Sequence, residues 1–237
     1  MSYFNILKKI FQSFKIDIEK KEIMFYNNTM KIAIDLDKTL FECKSKIYDL
    51  MVSLEHVIIK PPSKPTILEP SEADIKNINS RNMFGKIGNP ELYTEVDGSV
   101  GFINKLASEG NQIVFLSSRP NMRTMNNVIM TWLQKYNVNY DFVVVSCSNK
   151  AKFCKEHGIK LLIDDGLRNC YNASNEGVTS IFLDNKGKYE PTDKLFINNK
   201  KLHHAKNWRN VYKIAEKVIE KEEQNSEKDA GESAFEL

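Results

Sequence analysis

Short apolar runs alternate with longer amphipathic stretches along this chain. The runs are rich in Val, Ile, Leu and Phe, and they lie at 31–36, 112–117, 141–146, 160–164 and 178–183. Runs of this length and composition predict buried β-strands. Between the later runs, apolar residues recur at helical spacing in stripes that begin at Val100, Val128 and Ala151. Strands that alternate with helices predict βαβ units, and therefore an α/β domain with a doubly wound parallel sheet.

The same pattern divides the chain into segments. Residues 28–42 and 99–219 carry the strand and helix signals of the core domain. The connection at 43–98 is far longer than a crossover needs, so we predict a small helical cap insertion there, because long loops without secondary structure are rare inside a domain. Residues 220–237 are acidic and polar, which predicts a disordered tail.

Residues 1–27 form a separate amphipathic pattern. Aromatic and aliphatic residues recur there at helical spacing with lysines between them, so we predict a helical extension. Such a helix can make weak contact with a membrane surface, or it can pack on the domain or on a partner chain. It lacks the long apolar core and the cleavage site of a signal peptide. No apolar run in the chain approaches the roughly 20 residues that a membrane span requires.

Composition narrows the class of protein only slightly. The hydrophobic content of 41% suits a globular protein with a core, and a net charge of +3 argues neither for nor against nucleic acid. The four cysteines are widely spaced without a C-x-x-C pair, which predicts neither a zinc site nor a disulfide framework. We therefore expect buried thiols and a cytoplasmic location.

Polar side chains of particular kinds follow the ends of the predicted strands. They are Asp35 and Asp37 after the first, Ser117, Ser118 and Arg119 after the second, Lys150 shortly after the third, and Asp164 and Asp165 at the end of the fourth. Since ligands of parallel sheets bind at the carboxyl ends of the strands, we expect these groups to converge. Clustered carboxylates bind hard divalent cations, and magnesium is the usual ion where phosphate also binds. Hydroxyl and ammonium groups suit phosphate oxygens.

The order of these groups resembles the motifs of the haloacid dehalogenase (HAD) superfamily. Those motifs are D-x-D-x-T after the first strand, Ser or Thr after the second, Lys before the fourth and paired acids at its end. Response-regulator receiver domains also cluster carboxylates with Thr and Lys, but their acidic pair lies on the first strand. The resemblance implies a HAD-type Rossmann-like core with a Mg²⁺ cofactor, and a phosphatase activity.

The resemblance also implies roles for the residues of the first motif and the lysine. Asp35 would attack phosphorus and form an aspartyl-phosphate intermediate. Asp37 would protonate the leaving oxygen and then activate water, and its backbone carbonyl would bind the metal. Lys150 would offset negative charge on the nucleophile and the phosphate, although Lys152 and Lys155 on the same predicted helix are alternatives.

Further roles follow for the second motif and the acidic pair. Ser117 is favoured over Ser118 as the phosphate-binding hydroxyl, because it lies two residues before Arg119. Asp35, Asp37, Asp164 and Asp165 would form the metal site, with Asp165 as the more direct ligand of the pair.

Lys38 replaces the common Gly of D-x-D-G-T and is a candidate substrate contact, as are Arg119 and Phe41. Aromatic residues of the insertion region, Phe41, Tyr48 or Phe84, are candidates to stack on a base.

The position of the insertion, after the first motif, corresponds to a C1 cap, and the later motifs resemble the 5′-nucleotidase branch that includes deoxyribonucleotidases. We therefore expect a small phosphorylated substrate, a nucleoside monophosphate, and no stable nucleic-acid partner. The alternatives are a phosphatase for a sugar or other small metabolite, a 3′-phosphatase for nucleic-acid ends, and a HAD scaffold without turnover. The basic run 200–209 makes the 3′-phosphatase conceivable. We interpret this run as the start of a final helix with Trp208, Val211, Tyr212 and Ala215 facing the core.

Overall fold

A seven-stranded sheet forms the centre of the described part of the chain, which in this computed structural model comprises residues 30–43, 65–68, 90–121 and 123–233. Its strands are β1 (Lys31–Ile34), β3 (Thr66–Ile67), β5 (Gln112–Leu116), β6 (Phe142–Val145), β7 (Leu161–Asp164), β8 (Thr179–Leu183) and β9 (Leu202–Ala205). They are ordered β3-β6-β5-β1-β7-β8-β9, and all pairs are parallel except β3 with β6. A separate antiparallel pair joins β2 (Phe41–Cys43) to β4 (Tyr93–Glu95).

Helices connect the parallel strands and cover both faces of the sheet. They are α1 (Ser99–Ser108), α2 (Arg123–Lys135), α3 (Lys150–Glu156), α4 (Leu167–Asn175), α5 (Lys194–Ile197) and α6 (Trp208–Ser233). The five apolar runs form β1 and β5 to β8, and the three helical stripes form α1, α2 and α3. The predicted α/β architecture with a mostly parallel sheet is confirmed.

The core has two layers because side chains alternate across each strand. In β1, Ile32 and Ile34 pack into the larger cluster, which includes apolar residues of α1, α2 and α6. Ala33, between them, faces the opposite cluster, which contains Cys154 of α3 and Ala173 of α4. Strand β1 is therefore buried on both faces at the centre of the sheet, and its carboxyl end lies between those of β5 and β7.

The structure corrects the interpretation of the basic run 200–209. Residues Leu202–Ala205 form strand β9, and the final helix begins only at Trp208. The polar side chains of His203 and His204 concealed this strand in the sequence, although His204 is buried. The four residues predicted to face the core from the final helix are buried, as expected: Trp208, Val211, Tyr212 and Ala215.

Two predicted segment boundaries also differ from the structure. Strand β3 lies within the predicted insertion 43–98 but pairs with β6 at the edge of the main sheet. Helix α6 continues to Ser233, into the segment 220–237 that was predicted to be a disordered tail. A helix that is already nucleated on a core gains a hydrogen bond with each added residue, so a polar composition does not end it. The predicted extension 1–27 and most of the insertion lie outside the described residues.

The expected burial is found for three of the four thiols. All four cysteines are free, with Cys147, Cys154 and Cys170 buried and Cys43 half-buried. Burial raises the pKa of Cys147 to about 11, so this thiol is protonated at neutral pH. Within the described ranges, no helix combines the length and apolar character needed to cross a membrane.

Candidate active site

Asp35 lies immediately after β1, at the carboxyl edge of the central strand. Its backbone N–H donates to the carbonyl oxygen of Ile163 on β7 at 2.9 Å, which extends the parallel pairing by one residue. The residue is only 5% exposed. One carboxylate oxygen contacts the Lys150 ammonium, and the Thr39 hydroxyl donates to the other over 3.4 Å. The fold therefore buries this carboxylate and gives it a cationic partner.

Lys150 is the first residue of α3, and its side chain is 4% exposed. Asn149 caps the helix by accepting a hydrogen bond from the backbone N–H of Lys152 at 3.0 Å. The Lys150 ammonium lies 2.6 Å from a carboxylate oxygen of Asp164 as well as in contact with Asp35. Lys152 and Lys155 instead pair with glutamates on the surface. The structure thus brings Lys150, among the three candidate lysines, to the carboxylates.

The acidic pair at the end of β7 has two different environments. Asp164 is buried, and it accepts hydrogen bonds from the Gly166 N–H at 2.7 Å and the Asn169 amide at 3.1 Å. A Cβ atom at Gly166 would stand 2.8 Å from an Asp164 oxygen, so only glycine permits this close approach. Asp165 is half-buried, and its backbone N–H donates to the Thr39 hydroxyl at 3.0 Å.

Three of the predicted metal ligands form one group. Asp35, Asp164 and Asp165 each offer a carboxylate oxygen, and these oxygens all lie within 4.8 Å of one another. Lys150 supplies one positive charge to three carboxylates, so the group carries an excess of negative charge when ionised. This donor set fits a divalent cation with oxygen ligands, such as Mg²⁺.

The electrostatics of the group agree with that fit. Burial raises the pKa of Asp35 well above its usual range, with Lys150 acting against the rise and the Asp164 carboxylate adding to it. Burial and the Asp164 carboxylate likewise raise the pKa of Asp165 to about 6. Lys150 remains a cation, because the attraction of Asp164 and Asp35 outweighs the effect of burial and raises its pKa. A bound cation would favour the ionised form of both aspartates.

Asp37 points to a different partner. Both of its carboxylate oxygens accept hydrogen bonds from Arg119, one from Nε at 2.7 Å and one from Nη2 at 2.5 Å. The Asp37 side chain is 28% exposed, whereas the Arg119 side chain is 4% exposed. Asp37 therefore lies between solvent and a buried guanidinium.

The two serines after β5 differ in exposure. Ser117 is buried, and its hydroxyl accepts a hydrogen bond from the Arg119 backbone N–H at 3.2 Å. Its own hydroxyl hydrogen is still a donor, which is what a phosphate oxygen requires. Ser118 is exposed. The turn after β5 is held by Ser146, the residue that follows β6. The Ser146 backbone N–H donates to the Arg119 carbonyl at 2.7 Å, and Ser146 itself has a φ of 60°.

The three candidate substrate contacts, Lys38, Phe41 and Arg119, differ in exposure. Lys38 is exposed and has a φ of 59°, a left-handed conformation that is costly for a residue other than glycine. Phe41 is fully buried, with its ring centroid 5.3 Å from that of Tyr93 and 5.0 Å from that of Trp132. Arg119 is buried as well. In this structure Phe41 and Arg119 are interior residues, because aromatic packing and an ion pair withdraw them from the surface. The other candidates for base stacking, Tyr48 and Phe84, lie outside the described residues.

Sequence reasoning did not assign a role to Thr39, Gly166 or Asn169. Thr39 connects Asp35 with the backbone of Asp165, and its own carbonyl accepts a hydrogen bond from the Trp208 indole at 2.8 Å. Gly166 and Asn169 hold Asp164. Thr39 stood in the D-x-D-x-T motif, so a signal existed for it. Gly166 and Asn169 are recognisable only from the contacts they make.

Comparisons with known proteins found similar solved structures at low sequence identity. No family model matches the sequence, and no curated protein matches it. Similar solved structures include a HAD-superfamily hydrolase from Ehrlichia chaffeensis, with 11% identity, a TM-score of 0.45, and 81% of this chain and 98% of the other covered. A haloacid dehalogenase-like hydrolase from Xanthomonas campestris has 8% identity and a TM-score of 0.48, over 82% and 97% of the two chains. A D,D-heptose 1,7-bisphosphate phosphatase from B. bronchiseptica, complexed with magnesium and phosphate, has 11% identity and a TM-score of 0.44, over 80% and 99%.

Proposed function

We propose that this protein is a magnesium-dependent phosphomonoester hydrolase that forms an aspartyl-phosphate at Asp35. One observation carries the proposal: the Asp35 carboxylate is buried at the end of the central strand, in contact with the Lys150 ammonium and grouped with Asp164 and Asp165. A buried carboxylate with a fixed cation beside it is an oxygen nucleophile that can approach an anionic phosphate. The proposal also rests on the ordered motifs of the sequence.

In the first step, an Asp35 carboxylate oxygen attacks phosphorus. The new bond from Asp35 to phosphorus forms while the bond from phosphorus to the leaving oxygen breaks. Asp37 in its protonated form donates a proton to the leaving oxygen, so that an alcohol departs. Lys150 reduces the repulsion between the attacking carboxylate and the phosphoryl oxygens, and the Ser117 hydroxyl donates to one of those oxygens.

In the second step, water attacks the phosphorus of the aspartyl-phosphate. Asp37, now a carboxylate, accepts the proton of the attacking water. The bond between phosphorus and Asp35 breaks, and inorganic phosphate leaves with Asp35 restored. The Asp37 side chain is partly exposed, so it can exchange a proton with water. The Asp35 carboxylate, by contrast, is buried.

The carboxylates of Asp35, Asp164 and Asp165 are the groups that would hold Mg²⁺, together with the Asp37 carbonyl that the family resemblance implies. The ion would supply positive charge that offsets the three carboxylates and the phosphoryl oxygens.

We extend the proposal to nucleoside 5′-monophosphates as substrates. The support is the resemblance of the segments around Ser117, Trp132 and Asp164 to the 5′-nucleotidase branch. The exposed Lys38 ammonium beside the site is available for the anionic substrate.

A panel of phosphomonoesters tests both levels of the proposal. Purified protein is incubated with nucleoside 5′- and 3′-monophosphates, sugar phosphates and a 3′-phosphorylated oligonucleotide, with Mg²⁺ or with a chelator, and inorganic phosphate is measured. We expect release that requires Mg²⁺ and is fastest with 5′-nucleotides. Faster release from sugar phosphates or from the oligonucleotide would replace the nucleotidase assignment. No release from any phosphomonoester would favour a scaffold without turnover.

A further inference from the structure

Arg119 donates two parallel hydrogen bonds to the Asp37 carboxylate. Nε and Nη2 of the guanidinium each reach a different carboxylate oxygen, at 2.7 and 2.5 Å. Such a two-point contact fixes the plane of the carboxylate as well as its position, which a single hydrogen bond cannot do. The orientation of Asp37 therefore depends on that of Arg119.

Arg119 is itself held on several sides. Its guanidinium carbon lies 5.2 Å from the ring centroid of Phe41 on β2 and 5.2 Å from that of Tyr93 on β4. Its backbone N–H donates to the Ser117 hydroxyl, and its carbonyl accepts from Ser146. A planar guanidinium suits a place against two aromatic rings, whereas a lysine ammonium is not planar and cannot donate two parallel hydrogen bonds in the same way.

The pair of rings belongs to a short antiparallel ladder that is anchored to the core. The Tyr93 carbonyl accepts a hydrogen bond from the Trp132 indole on α2 at 3.1 Å. The carbonyl of Leu40, which precedes β2, accepts hydrogen bonds from the Val96 N–H and the Ser99 hydroxyl. Arg119 thus connects Asp37 to a ladder that hydrogen bonds tie to the core, beyond the loop that carries Asp37.

Stability alone is a weak explanation for this arrangement. A buried ion pair seldom stabilises a fold more than apolar residues of the same volume, because both charges lose their hydration. Direct contact with substrate is also a weak explanation, since Arg119 lies on the interior side of Asp37. Control of the Asp37 geometry remains as the role that matches the contacts.

We propose that Arg119 is a positioning residue that holds the Asp37 carboxylate for proton transfer, an inference that rests on the hydrolase function proposed above. Removing the two-point contact lets Asp37 rotate away from the reacting oxygen while substrate still binds. Displacement of a reacting group by about 1 Å can cost about 100-fold in rate. The effect therefore falls on kcat and leaves KM nearly unchanged.

The first test compares two substitutions of arginine by lysine. Arg119→Lys keeps the positive charge but removes the two-point contact of the guanidinium. Arg209→Lys makes the same change at an exposed position of α6 and is the matched control. With Mg²⁺ and the best substrate of the panel, we expect Arg119→Lys to lower kcat about 100-fold with KM changed less than about 3-fold. The Arg209→Lys variant should match the wild type. A large increase in KM at unchanged kcat would overturn the proposal and make Arg119 a substrate contact.

The second test is a double-mutant cycle with Asp37→Asn. If Arg119 acts through Asp37, Arg119→Lys should lower kcat by less than about 3-fold once Asp37 is already asparagine. The same loss in both backgrounds would overturn the proposal, because Arg119 would then act independently of Asp37.

The same four proteins also give a thermal-unfolding cycle that needs no turnover. We expect the changes in Tm to be non-additive, because the two side chains share one ion pair. Additive changes in Tm would overturn the proposal, because they would show that Arg119 and Asp37 do not interact in the folded protein. If the wild type releases no phosphate from any substrate, the hydrolase function fails and the catalytic role of Arg119 fails with it. If the wild type is active but kcat shows no coupling, the positioning role alone fails.

Discussion

Asp35 and Asp37 are two residues apart, yet the fold gives them different electrostatic partners. Asp35 shares one ammonium, that of Lys150, with Asp164, and it is also grouped with Asp165. Asp37 has a guanidinium of its own, that of Arg119. When its members are ionised, the Asp35 group thus carries excess negative charge, whereas ionised Asp37 and Arg119 form a balanced pair.

The loop after β1 produces this difference. Leu36 is fully buried between the two aspartates, and its carbonyl accepts hydrogen bonds from the N–H groups of Leu40 and Phe41. The chain therefore turns back at once, so that Asp35 faces α3 and β7 while Asp37 faces the turn after β5. The excess negative charge around Asp35 suits the binding of a cation. The pairing of Asp37 with Arg119 suits a carboxylate whose orientation must be fixed. Substitutions in the Asp35 group and at its neighbours separate these two functions.

The largest expected effect is that of Asp35→Asn on turnover. Asparagine retains the shape of the side chain but is not a nucleophile, so we expect the rate of phosphate release to fall by about 10⁴-fold or more. Circular dichroism should show an intact fold. Asp97→Asn, at an exposed position, is the matched control and should retain full activity. Activity that survives in Asp35→Asn would assign the nucleophile to another residue.

Lys150→Met tests the charge balance of the Asp35 group. Removing the ammonium leaves three neighbouring carboxylates without their cation, and loss of one partner from a buried ion pair costs about 3–5 kcal/mol of unfolding free energy. Urea titration in a chelating buffer measures this loss. Mg²⁺ should restore more stability to the variant than to the wild type, because the ion would replace the lost charge. Lys152→Met, on the exposed surface of the same helix, should change stability by less than about 0.5 kcal/mol. An equal effect of Mg²⁺ on Lys150→Met and wild type would contradict the assignment of the metal site.

Asp165 gives a pH dependence with a definite sign. Its pKa in the folded protein is raised from 3.8 to about 6, so its ionisation disfavours the folded state. In the absence of divalent cations, the Tm should therefore fall as the pH rises through this interval, and the Asp165→Asn variant should show a smaller fall. Asp35, whose pKa is also raised, contributes in the same direction. Mg²⁺ should remove the fall, and a Tm that rises over this interval in chelator would refute the assigned environment.

The smallest expected effect is that of Lys38→Gly, at the position between the two aspartates. Glycine accepts a φ of 59° without steric cost, although it also makes the unfolded chain more flexible, so we expect a net gain of up to about 1 kcal/mol in unfolding free energy. The same change removes an exposed ammonium beside the site, so KM for an anionic substrate should rise. Lys38→Asn, which also tolerates the left-handed conformation, separates the two effects. A lower Tm for Lys38→Gly would show that the lysine side chain stabilises the fold.

The fold was largely predictable because its signals are local. The strands that form β1 and β5 to β8 are continuous apolar runs, as expected for strands buried on both faces. Strand β9 was missed because its two histidines break the apolar pattern, and β3 because two residues carry no periodicity. Strand β9 pairs with the preceding strand β8, and β3 pairs with the distant β6, but the hydrophobic pattern of a single sequence contains no information about either pairing.

By itself, the sequence determined which residues lie at the carboxyl ends of the strands. Asp35, Asp164 and Asp165 follow apolar runs directly, and parallel pairing forces such ends to one edge of the sheet. Only the tertiary structure decided how their charges are partnered. The choice of Lys150 among three lysines, and the pairing of Arg119 with Asp37, depend on distances between segments far apart in sequence. Electrostatic interaction is set by separation and burial in three dimensions, and neither is encoded by local spacing.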